Sequence, residues 1–508
     1  MKFSFDRFKD LAEQGFNAIP VWEEVLADLD TPVSCYLKVK AAFPDSPGFF
    51  LLESVEGGER LGRYSTVGCN PVGLLSIQGE KSTLKFFEKD QNFLPSLSKN
   101  PFEALQKLTE AYRAPGDQLM MAGLFGALAY DAVRYLERLP GLKLEEELPE
   151  AAFFLGGDLL VFDHLKKTIK LVTVVYLLSD DKTRLSHLFE VALTRIARLK
   201  EALKASCPAT NPISLELLQS GHDHLTPWSS SFGQKDFEQA VLQTKEYIKS
   251  GEVFQLVLSQ KLTQKSETPL DPLLIYRLLR SLNPTPYQFL FDFGDFQIIG
   301  SSPEMMLRCH THEAVLRPIA GTYRRGDTPE EDERLAEELR SDPKELAEHL
   351  MLVDLARNDL GRIALPGSVK PHSLMVVEKY SHVLHLVSEI GAKPIPETNP
   401  VQILKAVFPA GTLSGAPKVR AMQLIAELEP VGRGFYAGCV GYIGFEGYSN
   451  TAMTIRTLVL SENAQKVQFQ AGAGIVYDSD PGKEYQETIN KGAAILKVLE
   501  QILHLKID

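Results

Sequence analysis

The stretch 470–492, QAGAGIVYDSDPGKEYQETINKG, constrains the chain most, because it joins a strand closing on glycines to a helix with a marked start. Gly472-Ala473-Gly474 lets a backbone come close to a ligand and turn N–H groups on it, which suits a carboxylate or phosphate. Asp480-Pro481 then supplies an N-cap and a proline at the first helical position. Glu484 and Glu487 follow at i, i+3 and share one helix face. Two readings of that face stand. It is a solvated surface with a Glu487–Lys491 pair, or it is half of a Mg2+ site, since that ion takes one or two carboxylates and fills its shell with water and ligand oxygens.

A second acidic pair has the same spacing. Asp342-Pro-Lys-Glu345 reads as a capping-box helix start, as does Thr328-Pro-Glu-Glu331. Glu348 lies one turn after Glu345, with Met351, Leu352 and Leu355 at i+3, i+4 and i+7, so a carboxylate shares an apolar stripe. Two such pairs facing each other could close one cation site around an anionic substrate. Glu304, after a strand and Pro303, faces a cleft at a sheet edge or is an exposed loop acid. His385 alternates with Val383 and Val387 on a strand, where a core histidine is the commoner reading. Thr412 sits in the Gly-rich turn 408–418, FPAGTLSGAPK, which can present N–H groups and a hydroxyl to an anion. Arg456 stands on a mostly apolar strand and needs a carboxylate from protein or ligand.

Composition narrows the class. A chain of 508 residues with 44% hydrophobic and 24% charged residues reads as soluble and globular, with two to four units by length. A net charge of −12 argues against a nucleic-acid surface. The five cysteines (35, 69, 207, 309 and 439) are scattered without CxxC spacing, so they are expected to be reduced. The first residues lack a signal-like apolar core and no run approaches membrane-spanning length, so a cytoplasmic location is expected.

Residues 207–232 are rich in Pro, Ser, Thr and His and read as a linker, dividing the chain into 1–225 and 226–508. Before it, 158–179 reads as a hairpin and 182–206 as an amphipathic helix with Leu185, Leu188, Val191, Leu193 and Ile196 on its apolar side. After it come a helix over 234–249 and a strand over 252–262, whose alternation puts Phe254, Leu256 and Leu258 on one face and Val253, Gln255 and Val257 on the other. In 51–65, LLESVEGGERLGRYS, the strand end Glu53-Ser54 offers a carboxylate and a hydroxyl that could hold an ammonium group, or is a plain loop.

Together PIAGT (318–322), DPKELAEHLMLVDLARNDLGRI (342–363), EKYSHVLHLVS (378–388), PAGTLSGAPKVRAM (409–422), GCVGYIGF (438–445) and the C-terminal stretch resemble, in order, the chorismate-utilising enzymes. The resemblance covers about 235–495, and LLESVEGGERLGRYS extends it into the first unit. It implies an α+β fold in which two large antiparallel sheets pack face to face as a sandwich surrounded by helices. It implies Mg2+ on Glu348 and Glu487, with Glu345 and Glu484 supporting through water. Chorismate would lie against Gly321, Thr322, Tyr436, Arg456, Gly472, Ala473 and Gly474. Glu304 resembles the general acid that protonates the departing C4 hydroxyl while ammonia attacks C2, and His385 and Thr412 match residues near the reacting ring.

Two positions separate sister activities. Ala320 stands where the 4-amino-4-deoxychorismate-forming branch carries a nucleophilic Lys, and Gln255 where the isochorismate-forming branch carries a Lys that activates water. Both imply the branch that releases pyruvate and forms anthranilate on the way to tryptophan. The alternatives are aminodeoxychorismate formation without the Lys, or a catalytically silent amino-acid sensor. No glutaminase nucleophile motif is present, so the resemblance implies a separate glutamine amidotransferase subunit as ammonia source. Glu53, Ser54, Pro286, Tyr287, Gln288, Val440 and Tyr442 match the family's tryptophan pocket and imply feedback inhibition, with Gln288 in place of Met and Leu61 in place of Trp. Gly492 replaces the usual Ala inside the last helix.

Overall fold

Strand Phe49–Glu53 pairs with Tyr64–Cys69 on one side and with Tyr287–Asp292 on the other, so a strand from the first fifth of the chain is stitched to one from its middle. The computed structural model describes residues 2–54, 62–87, 97–116, 120–178, 184–210, 213, 228–310, 312–380 and 383–504. Among these residues the strands form a 12-stranded and an 11-stranded sheet. Their pairings are antiparallel, and the second sheet has its own seam where Cys439–Gly444 joins Gly123–Leu128. Strands from both parts of the sequence therefore share both sheets. The boundary expected at 225/226, like Leu61, lies outside the described residues.

The sheets are held face to face by aromatic side chains. Phe50 of the first sheet stacks on Phe125 of the second with ring centroids 4.6 Å apart, and on Phe291 at 5.5 Å. Phe154 of the second sheet stacks on Phe293 at 4.7 Å. Large rings fill the roughly 10 Å gap between packed sheets, and each one buried contributes about 1.5–3 kcal/mol. This is the expected sandwich, with helices packed on the outer faces, as where Tyr276, Leu278 and Leu279 meet Leu51, Leu290 and Ile299.

The two helices that carry the acids start where their caps dictate. Asp342 accepts from the backbone of Lys344 (2.8 Å) and Glu345 (3.2 Å) to open Pro343–Gly361, and Asp480 accepts from Lys483 N (3.0 Å) beside Pro481–His504. The first buries His349, Leu352, Val353, Ala356 and Leu360, leaving Glu345 and Glu348 half-buried at the rim of that face. In the second, a Cβ on Gly492 would come within 2.6 Å of the Phe469 ring, which explains the glycine by close approach.

Several local expectations hold and several do not. The hairpin is Asp158–Asp163 with Thr168–Tyr176, and the helix Gln234–Lys249 has its expected limits. The helix Leu185–Lys204 buries Ile196 and packs Leu185 and Leu188 against the core as expected, but its buried face is completed by Phe189, Ala192, Leu199 and Ala202, while Val191 and Leu193 face solvent. The true stripe keeps the 3–4 spacing of one helix face, which Val191 and Leu193 break. The strand expected over 252–262 runs Gln255–Lys265, and Phe254 lies before it with a 72% exposed ring instead of sharing the face of Leu256 and Leu258. Its N–H donates to Ala416 O, so the chain is still turning there. Arg456 is not on a strand but between Ser449–Met453 and Thr457–Ser461, at φ +51°.

Candidate active site

Strand Lys466–Ile475 pairs along its whole length with Gln255–Lys265, but on its other edge Thr457–Ser461 covers it only as far as Phe469. The edge beyond is left open, so the glycines do not close the strand, as expected, but lie inside it at an uncovered margin. A Cβ on Gly472 would come within 2.7 Å of the Tyr436 hydroxyl and 2.9 Å of Leu258 O, so this glycine is required by what crowds it, whereas one on Gly474 would meet only the movable end of the Gln255 side chain at 2.6 Å. Ala473 points the other way, fully buried among Leu256, Leu258 and Ile475, and offers only its backbone.

This margin forms one wall of a cavity of about 270 Å³ that also gathers Gln255, Glu304, Ala320, Gly321, Glu348, His385, Thr412, Tyr436, Arg456 and Lys491. Eight of the fourteen catalytic, substrate and metal candidates line it, while Glu345, Ala473, Gly474, Glu484 and Glu487 do not. Gly321 adopts φ +64° at a bulge in the pairing of Ile319–Arg324 with Val383–Ala392. Thr322 follows on that strand, and its side chain lies outside the described ones. His385 is half-buried rather than a core histidine, and its Nδ1 donates to Gly321 O (2.9 Å), which leaves Nε2 as acceptor in the neutral ring. Burial lowers its pKa and favours that neutral form.

Glu304 is buried against the cavity, so the cleft reading holds over the exposed-loop one. Burial pushes its carboxyl up to about 8, against smaller lowering by the Thr412 hydroxyl and the Lys491 charge. It is therefore protonated at neutral pH, and its Oε1 has no hydrogen-bond partner. Thr412 lies in the short turn Gly411–Leu413. Opposite, among the described residues, the half-buried Arg456 guanidinium has neither hydrogen-bond nor ion-pair partner and the Tyr436 hydroxyl has no hydrogen-bond partner. Burial lowers the arginine's pKa, opposed by the Glu487 charge and by Tyr436. A non-glycine residue held at positive φ and aimed at a cavity is a pattern of functional sites.

An adjoining polar cavity of about 430 Å³ shares Gln255, Glu348, Gly472 and Lys491 with the first and adds Gly474, Lys344, Lys483, Glu484 and Glu487. Glu348 accepts from Gln255 Nε2 (3.4 Å), Glu487 pairs with Lys491 (3.6 Å), and Glu484 accepts from Ser479 Oγ (2.7 Å). Glu345 sits back toward Gly321, its pKa raised by burial and by the charges of Glu348 and Asp342. Among the described residues no three acids or imidazoles are close enough to form a ready cage. Acids from facing helices bordering one polar cavity fit a cation that keeps water and ligand oxygens, as Mg2+ does. The Glu487–Lys491 pair of the first reading of that face is present. Gln470 and Lys491 also line the first cavity; no sequence signal marked Gln470, and Lys491 was named only as an ion-pair partner of Glu487.

The tryptophan-pocket candidates border a separate cavity of about 600 Å³ that includes Glu53, Ser54, Pro286, Tyr287, Gln288, Val440 and Tyr442. Glu53 is not free to hold an ammonium group there, because its carboxylate accepts from the Tyr276 hydroxyl (2.5 Å) and pairs with Arg280 (3.0 Å). Gln288 is buried with both amide atoms unpartnered. No helix among the described residues is long and apolar enough to cross a membrane.

The two-sheet α+β fold is that of the chorismate-utilising enzymes. The chorismate binding enzyme family matches residues 48–497. Anthranilate synthase component 1 of Synechocystis sp. is 44% identical over 98% of this chain and 99% of its own, and that of Acetivibrio thermocellus is 40% identical over 98% of each. The crystal structure of anthranilate synthase component I from Streptococcus pneumoniae superposes with TM-score 0.70 at 31% identity, over 93% of this chain and 99% of its own. The menaquinone-specific isochorismate synthase MenF of Escherichia coli, at 20% identity and TM-score 0.68 over 97% and 98%, shares the fold. The chain belongs to the chorismate binding enzyme family.

Proposed function

We propose that the chain is the large subunit of an anthranilate synthase, converting chorismate and ammonia to anthranilate and pyruvate. One observation carries this reading: a single cavity holds a buried, protonated carboxyl, Glu304, and an unpartnered guanidinium, Arg456. Chorismate carries two carboxylates and a hydroxyl leaving group, and needs both kinds of group. Arg456, with the Tyr436 hydroxyl and Lys491, binds one carboxylate, and the open edge at Gly472 brings N–H donors toward the substrate. Glu304 gives its proton to the C4 oxygen, which leaves as water while the ammonia lone pair attacks C2 and the ring double bonds shift. Loss of the ring proton at C2 and of the enolpyruvyl side chain as pyruvate then makes the ring aromatic.

Glu348 and Glu487 would hold Mg2+, with Glu345 and Glu484 behind them, and the ion when bound supplies positive charge for a substrate carboxylate. Ala320 and Gln255 put no amine at the two cavity positions where the sister branches carry a lysine, so ammonia has no competing nucleophile there. A glutamine amidotransferase subunit supplies the ammonia, and tryptophan binds the cavity beside Ser54 and Tyr287 as feedback inhibitor. The purified chain with chorismate, Mg2+ and ammonium should develop anthranilate fluorescence. Accumulation of 4-amino-4-deoxychorismate overturns the assignment, and tryptophan binding without turnover would make the chain a sensor.

A further inference from the structure

Behind the substrate cavity lies a charged pair that the chemistry above does not use. Arg433 and Glu429 are each 3% exposed. Arg433 Nε donates to Glu429 Oε2 (2.9 Å) and Nη2 to Glu429 Oε1 (2.7 Å). Nη1 donates to Leu413 O (2.8 Å) and Nη2 also to Val257 O (2.8 Å). Glu429 Oε1 in turn accepts from Ser259 N (2.9 Å) and Oγ (2.6 Å), and Ser259 Oγ accepts from Gln470 Nε2 (2.8 Å). The guanidinium carbon stands 5.5 Å from the centroid of the Tyr436 ring and 4.8 Å from that of Tyr130.

The partners are not random core atoms. Leu413 follows Thr412 in its turn. Val257 lies two residues from Gln255 and directly opposite Gly474, and Ser259 lies opposite Gly472. Tyr436 is the phenol that crowds Gly472. Arg433 thus ties the turn to the strand of Val257 and the Tyr436 ring, and Glu429 extends the tie through Ser259 to Gln470 on the neighbouring strand. Stability alone does not account for it, because replacing a buried ion pair by apolar residues of similar volume is often neutral or stabilising. What a bidentate, fully bonded pair supplies is fixed geometry.

We propose that Arg433, clamped by Glu429, is a positioning residue that sets the Tyr436 hydroxyl and the Thr412 turn against the Gly472–Gly474 edge for substrate binding. This rests on the reading of the cavity as a chorismate site. The contacts lie behind the pocket in free and substrate-bound protein alike, so their loss should weaken ground-state and transition-state binding together and raise KM more than it lowers kcat.

The test uses Arg433→Lys, which keeps the charge and loses the fork, and the double variant Arg433→Met with Glu429→Leu, which removes both charges at once. Chorismate is titrated calorimetrically into the full chain with Mg2+ and without ammonium, followed by steady-state assays with ammonium. Both variants should bind chorismate at least about tenfold more weakly, with the ammonium KM within about twofold and kcat within about threefold of the parent. A folded variant of either kind with parental chorismate affinity, whatever its melting temperature, overturns the positioning role and leaves the cavity's function standing. If the parent chain itself binds no chorismate, both readings fall.

Discussion

Arg456→Met tests the functional reading because it should move stability and function in opposite directions. In the free protein the guanidinium is half-buried and unpartnered among the described residues, and burial disfavours its charge. Removing it should stabilise the fold by about 1–2 kcal/mol, the lower end of what unpaired buried charges cost. Unfolding entropy is roughly 2.1 cal/mol/K per residue, so over 508 residues about 1 kcal/mol moves the melting temperature by about 1 °C. The expected rise is therefore only about 1–2 °C, readable by scanning calorimetry on matched samples. Substrate binding loses far more. A guanidinium fork on a carboxylate makes two charge-assisted hydrogen bonds of about 1.5–3 kcal/mol each, so about 3–6 kcal/mol and a factor of roughly 10²–10⁴ in kcat/KM for chorismate. The assay is anthranilate fluorescence with ammonium as nitrogen source. A variant that melts lower than its parent, or keeps kcat/KM within a factor of about three, refutes the idea that Arg456 waits for a ligand carboxylate.

The general-acid role predicts a pH profile. With its pKa raised to about 8, Glu304 is in the proton-bearing form below that pH, so kcat/KM should be level on this limb through neutrality and fall tenfold per unit above about 8. Glu304→Gln should lose most activity, and whatever remains should lack that limb. Glu484→Gln removes a carboxylate placed to support the metal through water, and titration of activity with Mg2+ should show the half-activating concentration rising about 10–100-fold. An unchanged Mg2+ requirement would leave Glu484 as a partner of Ser479 alone. Gln288→Met removes two unpartnered amide atoms from the second cavity, where each buried unsatisfied group costs about 1–3 kcal/mol. Calorimetry should show a higher melting temperature and tighter tryptophan binding, and weaker binding would mean that the amide contacts the ligand.

The features legible from sequence are those whose cause is local. Asp342 and Asp480 could be recognised as caps because an N-cap needs only its own side chain and the next few N–H groups. The pairing of Glu53 with Gln288 has no comparable signal, since nothing within either segment specifies a partner so far along the chain. Misphasing of the helix Leu185–Lys204 had a simpler origin. Large aliphatics were followed wherever they fell, whereas the buried face includes two alanines and exposes Val191 and Leu193. Arg456 was set on a strand because its neighbours are apolar, and alternation cannot register a single left-handed residue that interrupts a ladder.

The site was legible as an inventory and illegible as a geometry, and Lys491 shows why. It stands four residues after Glu487, where a helix offers an ion pair, and that pair exists at 3.6 Å. The same ammonium donates to Gly472 O (3.1 Å) and borders both cavities, so one side chain joins the acids, the open strand edge and the substrate space. Arg433 was only half legible, because Glu429 stands four residues before it, while Leu413 and Val257 come from distant segments and offer only backbone oxygens. Side chains announce themselves in a sequence when their partners are other side chains at a fixed spacing. When the partner is a carbonyl on a distant strand, only the fold brings the two together, and the positioning role proposed for Arg433 would let such a contact set affinity without touching the ligand.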